Sequence, residues 1–371
     1  MKRLVLVGAG HAHALALRAW AQAPLPDTEL LLVSPEPLAP YSGMVPGWLA
    51  GHYRFAQIAI DFEPLARAAG ARWWPGELQA LDPAQRQLRL ADGTLLAYDL
   101  LSLNIGSTLR PPPARHAALL PLRPLGLLRQ RYEALLARWC QGAAGDRAFV
   151  VHAVGGGAAG VESLLAVLHR LRQLRPDRAL RSALLTRSPV LLPGLAPAAQ
   201  RAAQRALARA GVTLQTGSGW SEALDDHSDL LLWATGAEAH DWPRDPGRRG
   251  ALAVDAAGFV CIDAQLRSLS HPQVFAVGDC ASWPGQALPK AGVHAVRMGP
   301  VLAHNLRMAL AGRSDALRTH RPQQQSLALL ATGDGRAIAA RGPLGAAGAW
   351  AWHWKDHIDR GFIARFQGDT P

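Results

Sequence analysis

Short apolar runs recur along the chain, and the most distinctive of them end on glycine. Residues 4–7 are apolar and run into Gly8 and Gly10, after which the pattern turns helical. Residues 149–154 do the same, running into Gly155, Gly156 and Gly157, with Gly160 and Glu162 on the helix that follows. A period near two marks a strand and a period near 3.6 a helix, so each segment predicts strand, glycine turn and helix in succession. Behind the second loop Val161, Leu164, Leu165, Leu168 and Leu171 form one apolar stripe. Further strands are predicted at residues 28–33, 98–103, 183–186, 212–215, 229–233 and 274–279, the last with an acid at its end. Asp92 and Gly93, between residues 87–90 and 94–97, predict a hairpin. Residues 40–47 carry so many turn formers that they predict a loop. Helices are predicted over 200–210, stopped by Gly211, and over 291–310. Residues 327–330 and 337–339 suggest a small β element, and residues 350–366 an aromatic, amphipathic tail.

Strands alternating with helices predict an α/β fold with parallel sheets. Two strand–glycine–helix units, about 150 residues apart, predict two Rossmann-like dinucleotide-binding domains with a small C-terminal α/β extension. Pro111, Pro112 and Pro113 form a stiff connector. The expected organisation is 1–113 as the first part of one nucleotide domain and 114–253 as the other. Residues 254–315 return to the first, and 316–371 form a C-terminal region with the aromatic tail.

The glycines have a chemical reason. They let the backbone turn tightly and approach a pyrophosphate, while the helix start offers free N–H groups and a positive dipole end. Two such loops predict two dinucleotides, and the natural pair is a flavin and a nicotinamide. Composition agrees with a globular protein, at 49% hydrophobic and 18% charged residues in a chain of 371. No apolar stretch reaches membrane-spanning length without charge or glycine. The net charge of +11 is almost all arginine. The arginines are scattered, so they predict a solvated surface that attracts anionic cofactors and not a nucleic-acid partner. Met1, Lys2 and Arg3 ahead of an apolar run imitate a secretion signal, but cleavage there would remove the first loop. The segment therefore reads as the first strand, and a cytoplasmic protein is expected, with peripheral contact at the inner face of the cell membrane left open. Cys140, Cys261 and Cys280 show no C-x-x-C or C-x4-C spacing, which argues against a dithiol relay and a zinc site.

Four further segments complete a likeness: GHAH at 10–13, PYSGMVPG at 40–47, PKAGVHAVR at 289–297 and WKDHIDR at 354–360. The chain resembles the two-dinucleotide flavoprotein oxidoreductases of the pyridine nucleotide-disulfide oxidoreductase superfamily. The branch is that of type II NADH dehydrogenases and sulfide:quinone oxidoreductases. Within it the chain is most similar to the flavoprotein module fused ahead of selenophosphate synthetase in some bacteria. The resemblance implies FAD on the first loop, through Gly8, Gly10, His11 and Ala12, and NAD(P)H on the second, through Gly155, Gly157 and Gly160. It implies that Asp279, after Gly278, accepts hydrogen bonds from the flavin ribityl hydroxyls. The helix starting near Ala291 would aim its positive end at the flavin pyrimidine ring. Pro46 would pack near the isoalloxazine, with Gly43 and Met44 in the same segment. Asn104, Gly106 and Gly236, at matching strand ends, join the cofactor-binding set. Glu162, where the two cofactors would meet, and Lys290, just ahead of the flavin-facing helix, are the candidate catalytic residues. The plainer readings are a helix-start charge for Glu162 and a surface lysine for Lys290.

The chain departs from the family pattern in places. His13 fills the slot of the third glycine, which predicts looser helix–strand packing. Ser34, with Glu36 two residues on, stands where an acid would hold the adenosine ribose. Arg187 follows the second strand of the second domain, where it can pair with a 2′-phosphate and tilts the choice towards NADPH. Val293 and Arg297 stand where type II dehydrogenases place glutamines, which leaves the quinone site open. His11 and His13 are two apart on a helix and do not face one another, so packing or cofactor contact is expected and no metal. The expected activity is FAD-dependent transfer of electrons from NAD(P)H to an acceptor, with a quinone favoured. The alternatives are a sulfide- or selenide-oxidising flavoprotein and a flavin-bearing regulatory protein linked to selenium metabolism. Ile358, Phe362 and Phe366 recur every four residues and predict one buried face for the tail. Packing on the body is favoured over a membrane surface, because Asp356 and Asp359 oppose an anionic bilayer.

Overall fold

The computed structural model describes residues 1–141, 147–286, 289–323 and 325–367. Two five-stranded parallel sheets carry the fold. The first runs in the order Val274–Ala276, Leu100–Leu103, Lys2–Val7, Thr28–Ser34, Ala71–Pro75. The second runs Ala118–Pro121, Leu230–Trp233, Phe149–Val154, Leu180–Thr186, Val212–Thr216. Parallel strands are covered on both faces, which is why their sequences are runs of Leu and Val without strict alternation. The chain leaves the first sheet after Leu103, builds the second, and returns to the first at Val274, which lies beside Leu101. An antiparallel bridge between Thr108 and Glu238 ties the two crossings together.

The helix His11–Gln22 packs along Gly292–Leu310. A Cβ on Gly299 would lie 2.8 Å from Leu15, so glycine is what lets the two helices approach. The stripe on Ala158–Leu174 is buried as expected, with Val161, Leu164, Leu165, Leu168 and Leu171 at 3% exposure or less. The expected hairpin lies within the meander Leu78–Asp82, Gln87–Leu90, Leu95–Ala97. Gly93 takes φ +88° there, and Asp92 accepts from the Thr94 N–H.

Some elements differ from expectation. Residues 40–47 are not an irregular loop: Ser42–Met44 makes a 3-10 turn and Val45–Leu49 a short helix. Pro46 lies in that helix's first turn, where its missing N–H costs nothing. The helix expected at 200–210 starts earlier, at Pro197, for the same reason. Leu125–Gln141 is a helix that the expectations above do not contain, although buried Leu128, Tyr132, Leu135 and Trp139 carry helical spacing. The C-terminal β element has three antiparallel strands, Ala328–Ala331, Ala337–Arg341 and Leu344–Gly348. The third is Gly- and Ala-rich and lacks an apolar signature.

The tail is the helix Ala349–Gln367, and it packs on the body. Its buried face is the expected one only in part: Phe362 is buried and Phe366 packs partly against the core, but Ile358 does not. Ile358 is 42% exposed, while Ala351, Lys355, Asp359, Phe362 and Ile363 are buried. A charged pair lies inside because the surface beneath it offers a backbone carbonyl and a tyrosine. Among the described residues no helix is long and apolar enough to cross a membrane.

Candidate active site

Both glycine loops are built alike. Gly8 donates its N–H to Val33 O, and Gly155 donates to Leu185 O, both at 2.8 Å. Each takes a positive φ, +100° and +125°. A Cβ on Gly8 would sit 2.4 Å from Asn104 O, and one on Gly155 2.2 Å from Ala234 O. Asn104 and Ala234 thus hold equivalent places at the ends of neighbouring strands, and the difference between them matters. Asn104 Oδ1 accepts from the N–H groups of Ala12 and His13 at 3.1 and 3.3 Å, and its Nδ2 donates to Val277 O at 3.0 Å. One amide therefore clamps the first helix, its own strand and the Gly278 turn. Gly278 has φ +72°, and a Cβ there would lie 2.8 Å from Asn104 Nδ2. Ala234 has no such reach, and Gly157 caps the second helix with no side-chain bond. The second helix start keeps its N–H groups open to an anion.

His13 is fully buried and takes the place of a close contact with two hydrogen bonds of its own. Its Nδ1–H donates to Gly8 O at 2.7 Å, so Nε2 accepts from the Ser102 hydroxyl at 2.8 Å. Burial pushes the imidazole down to about 4 and keeps it neutral. The looser packing expected here is thus filled by the ring. His11 lies against other partners: its ring meets Tyr41 edge-on at 5.1 Å, and Tyr41 stacks on Phe362 at 4.4 Å. Burial also pushes His11 down to about 4.

Ser34 is 2% exposed, and its hydroxyl donates to Glu36 O at 2.8 Å and accepts from Trp73 Nε1–H at 3.0 Å. Glu36 is exposed. Asp279 follows the strand Val274–Ala276 in a 3-10 turn, Gly278–Cys280. The Arg123 guanidinium sits 2.6 Å from Asp279 Oδ2 and also donates to the Ser107 hydroxyl. Sequence reasoning missed Arg123, because nothing around position 123 marks it as facing a residue 156 positions away. Gly106 takes φ +71°, and a Cβ on either Gly106 or Gly236 would meet open space. Ala291 caps the helix Gly292–Leu310 without a side-chain bond. Lys290 Nζ donates to Ala281 O at 2.6 Å and lies 3.8 Å from the Phe259 ring centroid. Arg187 is exposed at the end of Leu180–Thr186 and makes no ion pair among the described residues.

Three buried charged groups, Glu162, Lys355 and Asp359, lie within electrostatic reach of one another. Glu162, in the first turns of the second helix, accepts the Ala331 N–H at 2.7 Å. Lys355 Nζ donates to Gly43 O at 2.6 Å and to Asp359 Oδ2 at 2.8 Å. Asp359 is also hydrogen-bonded to Tyr41. Gly43 belongs to the segment with Met44, which is 1% exposed, and Pro46, which is buried in its short helix. Burial pushes the Glu162 carboxyl up to about 7, with the Lys355 charge and the Ala331 N–H pulling it back. Burial likewise pushes Asp359 up, against the pull of Lys355. Lys355 and Asp359 escaped the sequence reading because charged residues in a tail read as its solvated face.

The Glu162 shift has a measurable consequence. An acid whose pKa is raised from 4.5 to about 7 on folding contributes its stability fully below 4.5 and loses it as pH rises through about 7. Glu162→Gln keeps an oxygen for the Ala331 N–H and removes the titration. The variant is expected to gain on the wild type between about pH 5 and about pH 8, by up to about 3 kcal/mol. Urea unfolding at both pH values measures this, and a difference that does not change with pH would show that Glu162 does not titrate in this window.

All three cysteines are free. Cys280 is buried, has Leu103 O and Val277 O within reach of its single S–H, and is pushed up to about 11 by burial, so it is a protonated thiol.

Comparison with known proteins places this geometry. Residues 2–299 match the family model for pyridine nucleotide-disulphide oxidoreductases, and the chain belongs to that family. FAD and NAD(P)H are the cofactors of the family. Among solved structures it is similar to the sulfide:quinone oxidoreductase of the hyperthermophilic bacterium Aquifex aeolicus, with a TM-score of 0.76 at 15% identity, covering 99% of this chain and 92% of that one. It is equally similar to NDH2 of Plasmodium falciparum, solved in complex with NADH, with a TM-score of 0.76 at 12% identity, covering 100% and 99%. NADH:rubredoxin oxidoreductase of Clostridium acetobutylicum follows at 0.67 and 17% identity, covering 91% and 81%.

Proposed function

We propose that this chain is an FAD-dependent oxidoreductase that takes electrons from NAD(P)H and delivers them to a quinone. The observation that carries the reading is the buried charge cluster: Lys355 and Asp359 hold the Tyr41–Met44 segment, and their charges reach Glu162 on the helix behind the second nucleotide loop. Two nucleotide sites linked through one buried cluster suit electron transfer between their occupants.

The first-domain residues fit FAD. The Gly8–Gly10 turn has no room for a Cβ, as a pyrophosphate cradle requires. Asp279 keeps 14% of its side chain exposed at the C-terminal edge of the sheet, where ribityl hydroxyls can donate to it. Arg123 balances its charge. Glu36, exposed beside the occupied Ser34, is the acid left for the adenosine ribose. The Ala291-capped helix would place its positive end by the pyrimidine ring, where it favours negative charge. FAD, when bound, supplies the acceptance of two electrons from a nicotinamide and their release to an acceptor. The protein positions the partners, keeps water from the buried cluster, and offers at Glu162 a carboxyl that can hold or release a proton near neutral pH. Cys280, a buried protonated thiol, gives no support to a sulfide-oxidising role.

Anaerobic mixing tests the reading. The purified protein is expected to be yellow, to bleach with NADPH, and to recover its colour with menadione. A colourless protein that FAD cannot reconstitute would sink the proposal. In the same assay Arg187→Glu is expected to shift the ratio of NADPH to NADH dissociation constants by about tenfold or more towards NADH, about 1.4 kcal/mol. An unmoved ratio would make Arg187 a bystander.

A further inference from the structure

A cavity of about 380 Å³ lies where the helices Leu125–Gln141 and Ala158–Leu174 meet the segment 48–57, and none of the residues assigned to either nucleotide lines it. Four aromatic side chains form its walls: Trp48, Tyr53, Phe55 and Tyr132. Trp48 meets Phe55 edge-on at 5.5 Å and Tyr132 at 5.1 Å, and the Tyr132 hydroxyl donates to Leu49 O. The rings therefore fix one another and leave apolar surface for an occupant.

Arg170 is the feature that packing does not explain. It lines the cavity and is half-buried, yet its guanidinium has no hydrogen bond, ion pair or ring contact among the described residues. Every other half-buried arginine among them has such a partner, whether an acid as for Arg123, a carbonyl as for Arg172 or a ring as for Arg178. Arg170 is also held in place. Gly51 takes φ +84°, and a Cβ there would lie 2.7 Å from Arg170 Nη1, so only glycine lets the chain close on the guanidinium. A cation drawn partly out of water without an acceptor loses hydration and regains nothing, which is why such groups are paired. Arg54 lines the same cavity and makes no ion pair among the described residues. The acid on the wall, Glu133, is spent on Arg129 at 2.9 Å, and Arg129 lies over the Phe55 ring. Positive charge is left unmatched beside aromatic walls.

The volume is that of a small-molecule site, and ring walls with a pinned, unmatched guanidinium select a flat aromatic molecule that carries an anionic group. Arginine holds carboxylate and phosphate alike through paired N–H···O bonds. We infer that this cavity is a binding site for a small aromatic anion, with its carboxylate or phosphate on Arg170 and its ring against Trp48 and Phe55. The site is separate from both nucleotide loops, so it does not depend on the functional reading above.

The test titrates naphthoate, naphthyl phosphate and the neutral naphthamide into the purified protein by calorimetry. The tighter of the two anions names the group that Arg170 prefers. It is expected to bind at least tenfold more tightly than the amide, with an affinity that falls as salt rises. Arg170→Gln is expected to weaken that anion at least tenfold and to leave the amide within threefold. Gly51→Ala keeps every lining side chain but pushes Arg170 aside. It is expected to weaken the anion at least threefold, and it is the deciding variant if Arg170→Gln loses its fold. Wild-type protein that binds neither anion, or binds them no more tightly than the amide, would overturn the site. So would an affinity unmoved in Arg170→Gln and Gly51→Ala alike, or displacement of the bound anion by NADP+, which would place the probe in the second nucleotide loop.

Discussion

Gly160→Ala is expected to abolish nicotinamide binding and leave the flavin in place. The new Cβ would lie 1.9 Å from Gly155 O and 3.3 Å from the Ala234 Cβ. Backbone and a strand-end methyl on the same sheet cannot move aside, so the helix Ala158–Leu174 must lift from its loop and carry its N–H groups away from the pyrophosphate. Positioning errors of this size are felt strongly at a nucleotide turn. A loss of at least about a hundredfold in NADPH affinity is expected, about 2.7 kcal/mol. Flavin absorbance should be unchanged, because the Gly8 loop belongs to the other sheet. Gly157→Ala is the control. Gly157 sits at φ −79° with nothing within 4 Å of a built Cβ, so alanine there should change binding only slightly. A Gly160→Ala protein that titrates with NADPH within threefold of wild type would show that the second loop does not hold the nucleotide.

Lys355→Met should produce the largest loss of stability of any single change in the tail. Lys355 is 6% exposed and Asp359 5% exposed, so the pair is inside the protein. Removing the cation leaves Asp359 without its ammonium, exposes Glu162 to like charge, and deprives Gly43 O of its donor. Breaking a buried pair from one side costs about 3–5 kcal/mol, whereas replacing both partners with apolar residues is far milder. Lys355→Met is therefore expected to lower the urea midpoint sharply, and the double variant Lys355→Met, Asp359→Leu to recover most of the loss. The deficit of the single variant should shrink as pH falls and the stranded carboxyl takes a proton. A single variant as stable as the wild type at neutral pH would show that the tail is held by Phe362 and Ile363 alone.

The contrast between these two residues shows what a sequence can reveal. Gly160 was visible at once, because a strand, a glycine turn and a helix are local and their chemistry is written in consecutive residues. The same holds for Gly8, Gly155, the stripe on Ala158–Leu174 and the parallel α/β architecture that the two sheets display. Asp279 was legible as an acid at a strand end. Its partner Arg123 was not, because the ion pair joins residues that follow strands of different sheets. Asn104 was placed at a strand end, but its role as a clamp on Ala12, His13 and Val277 needed three segments in register.

The tail marks the boundary most clearly. Its helical period was readable, and helix Ala349–Gln367 is there. The face it buries was readable only in part, since hydrophobic spacing correctly pointed to Phe362 but also to Ile358, and the protein buries Lys355 and Asp359 beside Phe362. Hydrophobic pattern reports the average cost of moving a side chain out of water. It carries no information about a carbonyl at Gly43, a phenol at Tyr41 or a carboxyl at Glu162 waiting at the docking surface. The sequence by itself therefore determined the fold class, the two nucleotide loops and the family. Only the tertiary structure decided which charges are buried and which are paired. The reason is that local periodicity depends on near neighbours along the chain, whereas the stability of a buried charge depends on groups that only folding brings within about 4 Å.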